Sequence, residues 1–215
     1  MNVGLFIPCY IDAFFAEVGI ATLELLEKLG CAVEYPLQQT CCGQPMANSG
    51  CQEDAAATEA HFVECFKPFG TTVGPSASCV HHIRDHLDAV EQTTDVRHVR
   101  AHARELPFHS SLCGSYSQVC PVKIDISDQI YNWRRVVASK GLLKIAKKVG
   151  MSALGATLAH EKSFRAAETL GEQALEHLPR TLLYNPLNPW GKHHEMPAVP
   201  RATFHRWYLE NRSKR

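Results

Sequence analysis

Two adjacent cysteines, Cys41 and Cys42, constrain the fold of this chain more than any other feature. Neighbouring side chains point in different directions, so the two sulfurs cannot both enter one apolar core from a regular element. Gly43 and Pro45 follow and favour a tight turn, which can direct both sulfurs to a common point. Thiolates that converge in this way can bind a metal. The sequence therefore predicts a ligand-bearing turn over residues 40–45.

Two further cysteines lie where such a turn could use them. Cys9 follows a compact apolar run over residues 2–8, which has the length of a buried strand. Cys79 follows a short strand at residues 71–74 and lies at a helix start, where the helix dipole favours a thiolate. Ligands gather beyond the carboxyl ends of parallel strands. We therefore expect both cysteines to meet the Cys-Cys turn at one edge of a sheet.

The first ninety residues alternate strand and helix patterns. An amphipathic helix over residues 13–29 leads to a second strand at residues 31–35, and this spacing predicts a right-handed parallel unit. Another helix is predicted over residues 53–66. We expect its inner face to consist of Ala56, Ala60, Val63 and Phe66. The predicted fold class is an α/β N-terminal domain with a small parallel sheet, followed by a mainly α-helical C-terminal region with an extended tail.

The C-terminal region has two helical patterns and an aperiodic end. One helix is predicted from residue 142, and small residues at 150–156 allow either close packing or a break. A second pattern runs through Phe164 and Leu170 toward residue 178. From residue 179 the chain is rich in proline and aromatic residues without a period, which predicts an extended tail over another surface. The aromatic rings of that tail need a partner against which to be buried.

Other candidate ligands leave alternatives open. Cys31 and Cys65 are predicted to be core residues, because a free cysteine behaves as a small hydrophobe. Cys51 is equally compatible with a ligand and with a core residue. His81 and His82 either replace a missing ligand or are solvated on their helix, and the second interpretation is favoured.

Composition points to a reducing compartment. The chain has 215 residues, nine cysteines and 45% apolar residues, enough for a core of substantial size. No signal peptide and no run of about eighteen apolar residues is evident. An uneven set of cysteines in such a chain favours metal ligation over disulfides. We therefore expect a cytoplasmic protein without a membrane span.

The net charge of zero hides an asymmetry. Residues 1–90 contain three basic and eleven acidic residues, a net charge of −8, whereas the remainder contains 19 basic and 11 acidic residues, a net charge of +8. This predicts a domain over residues 1–92, a linker or exposed helix at 93–105, and a second region over 106–215. No nucleic-acid motif accompanies the basic residues. Docking onto an acidic partner protein, or onto the first half of the chain, explains them better.

A second cysteine-containing stretch occupies residues 106–125. In a ferredoxin-type run, four cysteines spaced C-x2-C-x2-C-x3-C-P wrap a cubane cluster. Here those positions fall on Ser110, Cys113, Tyr116 and Cys120. Cys113 and Cys120 therefore either bind a second cluster with a distant ligand or belong to a structural turn.

The segments around the first four cysteines resemble the cysteine-rich CCG domain of heterodisulfide reductases, glycolate oxidase iron-sulfur subunits and lactate-utilisation iron-sulfur proteins. The resemblance rests on residues 4–9, 39–45 and 75–79 and is closest to the A-type lactate-utilisation proteins. Where the family has a fifth cysteine this chain has Ser76, which, like Ser78, can cap the helix. The resemblance implies an iron–sulfur cluster of the 4Fe-4S type held by Cys9, Cys41, Cys42 and Cys79.

Residues 106–125, 133–135 and 188–212 resemble the C-terminal third of the B-type lactate-utilisation proteins. Together the resemblances imply an electron-transfer component of an L-lactate oxidation system that yields pyruvate, with other iron-sulfur subunits as partners and self-association as a further possibility. No substrate base can be placed, so the chain is interpreted as an oxidoreductase subunit without its own substrate site. The alternative is a non-catalytic scaffold or truncated remnant that binds partner subunits, with zinc or no metal.

Overall fold

The structure is a computed structural model that describes residues 2–105, 132, 135–136, 138–141, 143, 145–177 and 202–212. Cys113 and Cys120 lie outside the described residues, as do residues 179–201 of the predicted tail. The prediction of a second cluster, or of a structural turn, therefore stays a prediction.

The sheet has four parallel strands: β1 (Asn2–Leu5), β2 (Ala32–Glu34), β3 (Thr72–Gly74) and β4 (Ala103–Glu105). Their spatial order is β2-β1-β3-β4, so the chain begins in the middle of the sheet and extends it in both directions. The order reverses between β1 and β3. In open parallel sheets this reversal opens a crevice at the carboxyl ends of the two strands, and ligands bind there.

Nine helices are described in the ranges given above. They are α1 (Cys9–Phe14), α2 (Ala16–Lys28), α3 (Gln44–Ala47), α4 (Gln52–Phe66), α5 (Ala77–Asp85), α6 (Thr94–His102), α7 (Ile145–Leu158), α8 (Glu161–His177) and α9 (Phe204–Asn211). The predicted fold class is confirmed: a parallel α/β region is followed by a mainly helical C-terminal region. Gly30 follows α2 with a φ of 80°, as expected of a glycine that ends a helix.

Apolar side chains alternate along β1 and its extension, and so build a core on each face of the sheet. Val3, Leu5 and Ile7 pack on one face. Phe6 packs on the other, where its ring lies 5.0 Å from that of Phe62 and 5.7 Å from that of Phe66. Because aromatic side chains bury large surfaces, these two contacts favour the face of α4 that carries Phe62 and Phe66 as the one that packs on the sheet.

The inner face of α4 differs from the prediction. Ala60 is exposed and Ala56 is only partly buried. The buried face is turned by about one residue and includes polar side chains: Ala55, Thr58, Glu59, Phe62, Val63 and Phe66. Val63 and Phe66 are buried as predicted, whereas Ala56 and Ala60 are not, because the buried face includes the polar residues Thr58 and Glu59, which an apolar pattern does not detect.

The segment predicted as a linker or exposed helix forms α6 and the edge strand β4. Thr93 caps α6 by accepting a hydrogen bond from the Val96 backbone N–H at 3.3 Å. Val96 and Val99 are buried against the core, and Ala103 enters the sheet beside β3. Three apolar side chains among many arginines and histidines make too weak a pattern to show a buried helix and strand.

The C-terminal helices pack on the α/β region. At Gly155 of α7 a side chain would collide with the backbone oxygen of Asp54 at the start of α4, so the small residues allow close packing and do not break the helix. The predicted extended tail is helical at α9, where Phe204 is completely buried and its ring lies 5.0 Å from that of Tyr35. The described part of the aromatic tail, residues 202–212, thus has a partner against which Phe204 is buried. No helix among the described residues is long and apolar enough to cross a membrane.

Candidate metal centre

The topology places three cysteine-bearing turns at one edge of the sheet. Cys9 is the first residue of α1, directly after β1, and Cys79 lies in the first turn of α5, directly after β3. These strands are neighbours, and the order of the sheet reverses between them. Cys41 and Cys42 follow β2 on the other side of β1. A crevice with these neighbours is where a parallel sheet gathers ligands.

The four thiols are in contact. The Cys9 thiol donates to the Cys41 sulfur, 3.5 Å away, and the Cys42 thiol interacts with the sulfurs of both Cys41 and Cys79. Three of the four residues are at most 4% exposed, and Cys9 is half-buried. The structure thus brings together all four residues that the sequence predicts. Within the described residues, the sulfurs contact one another, and no three His, Cys, Asp or Glu side chains surround a point that a single metal ion could occupy.

Negative charge in this group is favoured on two of the four sulfurs. The pKa of Cys41 is lowered by hydrogen bonds from Cys42 and Cys9, with a smaller effect of His82. The pKa of Cys79 is lowered by its hydrogen bond with Cys42. The pKa values of Cys9 and Cys42 are raised, in each case first by their hydrogen bonds to Cys41. The direction of the pKa shift therefore alternates along the group.

Ser76 holds the start of α5. Its hydroxyl oxygen accepts from the Cys79 backbone N–H at 3.5 Å, and the Tyr10 hydroxyl donates to it at 3.1 Å. This confirms that one of the two candidate serines caps the helix. Gln44 joins the Cys-Cys turn to α5, because its amide donates to the Ser78 carbonyl oxygen at 2.9 Å. Gln44 lies within the predicted turn over residues 40–45, but no sequence pattern indicated its contact with Ser78.

A buried Glu59–His82 pair supports the Cys-Cys turn from behind. Gly43 has a φ of 90°, and a β-carbon there would lie 2.8 Å from Cγ of Glu59. The Glu59 carboxylate lies 3.2 Å from His82 Nε2 and accepts the Ala89 backbone N–H at 2.9 Å. Glu59 and His82 are 0% and 1% exposed. The expectation of a solvated helix histidine is therefore wrong for His82, while His81 is exposed.

The other described cysteines lie outside the thiol group. Cys65 is a core residue, as predicted, and burial raises its pKa to about 12. Cys31 is half-buried against the second core. Cys51 is buried at the rim of a cavity of about 820 Å³, and burial raises its pKa. None of the three makes a described contact with the four grouped sulfurs.

The C-terminal helices hold the segment that precedes the Cys-Cys turn. Arg165 of α8 donates to the buried Asp12 carboxylate at 2.6 Å and to the Gln39 carbonyl oxygen at 3.2 Å. The Thr40 hydroxyl donates to the Leu158 carbonyl oxygen at 2.7 Å. These contacts span more than a hundred residues of chain, and no sequence pattern indicates them.

The parallel sheet and the group of four cysteines agree with a comparison of the chain with known protein families. Residues 3–84 match the CCG family of cysteine-rich domains. The chain is also similar to lactate utilization protein A of Exiguobacterium sp., with 49% identity over 87 residues, which are 40% of this chain and 36% of the relative. Similarity to lactate utilization protein A of Halalkalibacterium halodurans is 51% over 80 residues, 37% of this chain and 33% of the relative.

The chain spans about a third of the length of these curated relatives. No solved structure matches it significantly. The likeness to the A-type proteins concerns the N-terminal domain, and the predicted likeness of the C-terminal region to B-type proteins stays a prediction.

Proposed function

We propose that Cys9, Cys41, Cys42 and Cys79 bind an iron–sulfur cluster and that the chain transfers electrons in an L-lactate oxidation system that yields pyruvate. The observation that supports this most directly is the contact of four thiols from three separate turns at the reversal point of a parallel sheet. The match to the CCG family and the likeness to lactate utilization protein A give the proposal its substrate class.

The donor set fits the proposed group. Iron–sulfur clusters take four cysteine thiolates as their usual ligands, and a bound cluster supplies a one-electron acceptor. Cluster binding needs deprotonated cysteines, and the raised pKa values of Cys9 and Cys42 make proton release from these two residues harder than from Cys41 and Cys79, whose pKa values are lowered. Gly43 and Ser76 set the backbone of two of the three turns. Burial of Cys41, Cys42 and Cys79 limits the access of water to the site.

The chain is proposed as an electron-transfer subunit without a substrate site of its own. Removal of two electrons from a hydroxy acid needs a base that contacts the substrate. The groups beside the sulfurs that could act as a base are Glu59 and His82, and both are buried and engaged with each other. Other iron-sulfur subunits are therefore proposed as partners that supply the electrons or accept them.

The test compares two buried cysteines in anaerobically purified protein. Cys41→Ser removes a grouped sulfur, whereas Cys65→Ser removes a core sulfur of similar burial. We expect iron and acid-labile sulfide in the native chain, their loss in Cys41→Ser, and their retention in Cys65→Ser. Equal iron content in the two variants, or a native chain without iron, contradicts the proposal.

A second candidate is a scaffold that binds partner subunits, with zinc or no metal. The observation that favours it is the direct 3.5 Å contact between the Cys9 and Cys41 sulfurs, which a domain without a cluster can also form. The same metal analysis separates the two candidates. A colourless, iron-free protein that keeps its fold favours the scaffold, and stoichiometric zinc identifies its metal.

A further inference from the structure

Four arginines surround one concave patch on the α/β region. Arg84 at the end of α5, Arg97 and Arg100 on α6, and Arg104 on β4 line a concavity of about 750 Å³. We call these four residues the arginine surface. Arg84, Arg97 and Arg104 are exposed, and Arg100 is partly buried.

Positive charge outweighs negative charge at the arginine surface, where four arginines face two carboxylates, those of Asp85 and Asp88. Among the described residues, no carboxylate forms an ion pair with Arg84, Arg97 or Arg104, and Arg100 lies 3.3 Å from one oxygen of Asp88. Asp85 also lines the concavity, but its carboxylate lies 2.9 Å from His81 Nδ1. Only Arg84 lies within residues 1–90, whose net charge is −8, whereas Arg97, Arg100 and Arg104 belong to the remainder of the chain, whose net charge is +8.

Hydrogen bonds hold the patch in a fixed shape. Arg100 Nε donates to the Arg84 carbonyl oxygen at 2.9 Å, and its Nη1 donates to Gln92 Oε1 at 2.7 Å. The Gln92 amide in turn donates to the Leu87 carbonyl oxygen at 2.8 Å. A surface that is ordered before association loses less conformational entropy when a partner binds.

We propose that the arginine surface docks an acidic face of a protein partner. The inference rests on the proposed function, and the partner would be the subunit that exchanges electrons with the sulfur site. Guanidinium groups bind carboxylates in a bidentate manner, and several on one face select a cluster of Asp and Glu side chains. A small ligand is disfavoured, because small-molecule sites enclose most of the ligand, whereas three of these four side chains are exposed.

Helix α5 joins the arginine surface to the sulfur group. Cys79 lies in its first turn and Arg84 near its end. Five residues of helix correspond to a rise of roughly 7.5 Å. A partner bound at Arg84 would therefore lie near the sulfurs without covering the buried residues themselves.

The test uses the full chain and a fluorescently labelled oligoglutamate peptide, with binding measured by anisotropy at low ionic strength. The test variant is Arg84→Glu with Arg97→Glu. The control is Lys147→Glu with Lys148→Glu, which makes the same charge change at two exposed lysines of α7. We expect the affinity to fall by about tenfold or more in the arginine variant and to change by less than about twofold in the control.

Three results would overturn the proposal: no binding by the native chain, equal affinity loss in both variants, or complete competition by inorganic phosphate at matched ionic strength. The last result would identify a small-anion site. Circular dichroism checks the fold, and Arg84→Gln with Arg97→Gln replaces the charge reversal if that variant unfolds.

The peptide measurement is independent of metal content. An iron-free chain that still binds through the arginine surface would refute the proposed function and leave the docking surface standing. An iron-containing chain that does not bind the peptide would refute the docking surface and leave the proposed function standing.

Discussion

The carboxyl group of Glu168 on α8 should give the protein a pH-dependent stability. Burial and the nearby Asp12 carboxylate raise its pKa from 4.5 to about 7, although Arg165 Nη1 lies 3.0 Å from it and opposes the shift. The carboxyl is 7% exposed, so solvent screens it little. A shift of this size corresponds to about 3 kcal/mol, at about 1.4 kcal/mol for each pKa unit.

The sign follows from proton uptake. Between pH 4.5 and 7 the folded chain keeps the Glu168 proton while the unfolded chain has released it. The free energy of unfolding therefore falls as pH rises through this window, and the loss is complete above pH 7. His205 acts in the opposite direction, because burial lowers its pKa to about 4 and its contribution to stability grows as pH rises toward 6.5. The two effects partly cancel in the native chain.

The substitution Glu168→Gln isolates the carboxyl, because it keeps the side-chain volume and removes the titration. We expect the free energy of unfolding of the variant, relative to the native chain, to rise by about 3 kcal/mol between pH 4.5 and 7.5. Urea unfolding followed by circular dichroism at several pH values measures this difference. The reasoning is refuted if the two curves of stability against pH run parallel.

Further substitutions test the packing. Phe204→Ala should lower the free energy of unfolding by about 3–5 kcal/mol in urea unfolding, because the ring is completely buried, whereas Leu209→Ala on the outer side of α9 should cost far less. Gly43→Ala and Gly30→Ala both place a β-carbon at positive φ, at a cost of roughly 1–2 kcal/mol. Only in Gly43→Ala does the new β-carbon also collide with Glu59, so this variant should lose more free energy of unfolding than Gly30→Ala and contain less iron when purified. An equal loss of free energy in the two variants would contradict this. Gly155→Ala should lower the melting temperature by forcing α7 away from α4, and an unchanged melting temperature would show that the contact adjusts freely.

The convergence of the four cysteines could be predicted from the sequence because topology, more than local detail, determines it. Cysteines placed directly after parallel strands must meet at one edge once those strands are neighbours. Cys9 and Cys79 follow β1 and β3, which pair in the sheet. The apolar runs were long enough to show these strands, and the glycine and proline of the Cys-Cys turn indicated its tight geometry.

The parts that the sequence did not predict involve polar residues inside the fold. Glu59 and His82 are buried with 3.2 Å between His82 Nε2 and the Glu59 carboxylate, and a hydrophobic pattern counts such residues as solvent-facing. The link between Asp12 and Arg165 joins residues 153 positions apart, beyond the reach of any local pattern. Helix α9 has only eight residues, too few for a clear helical period within an aromatic segment.

The most direct test of the sulfur site is iron X-ray absorption on the anaerobically purified chain. If the four cysteine sulfurs hold a polynuclear cluster, the first coordination shell of each iron contains only sulfur and the second contains iron. Iron with nitrogen or oxygen ligands, or a folded protein that binds no iron, would contradict this prediction.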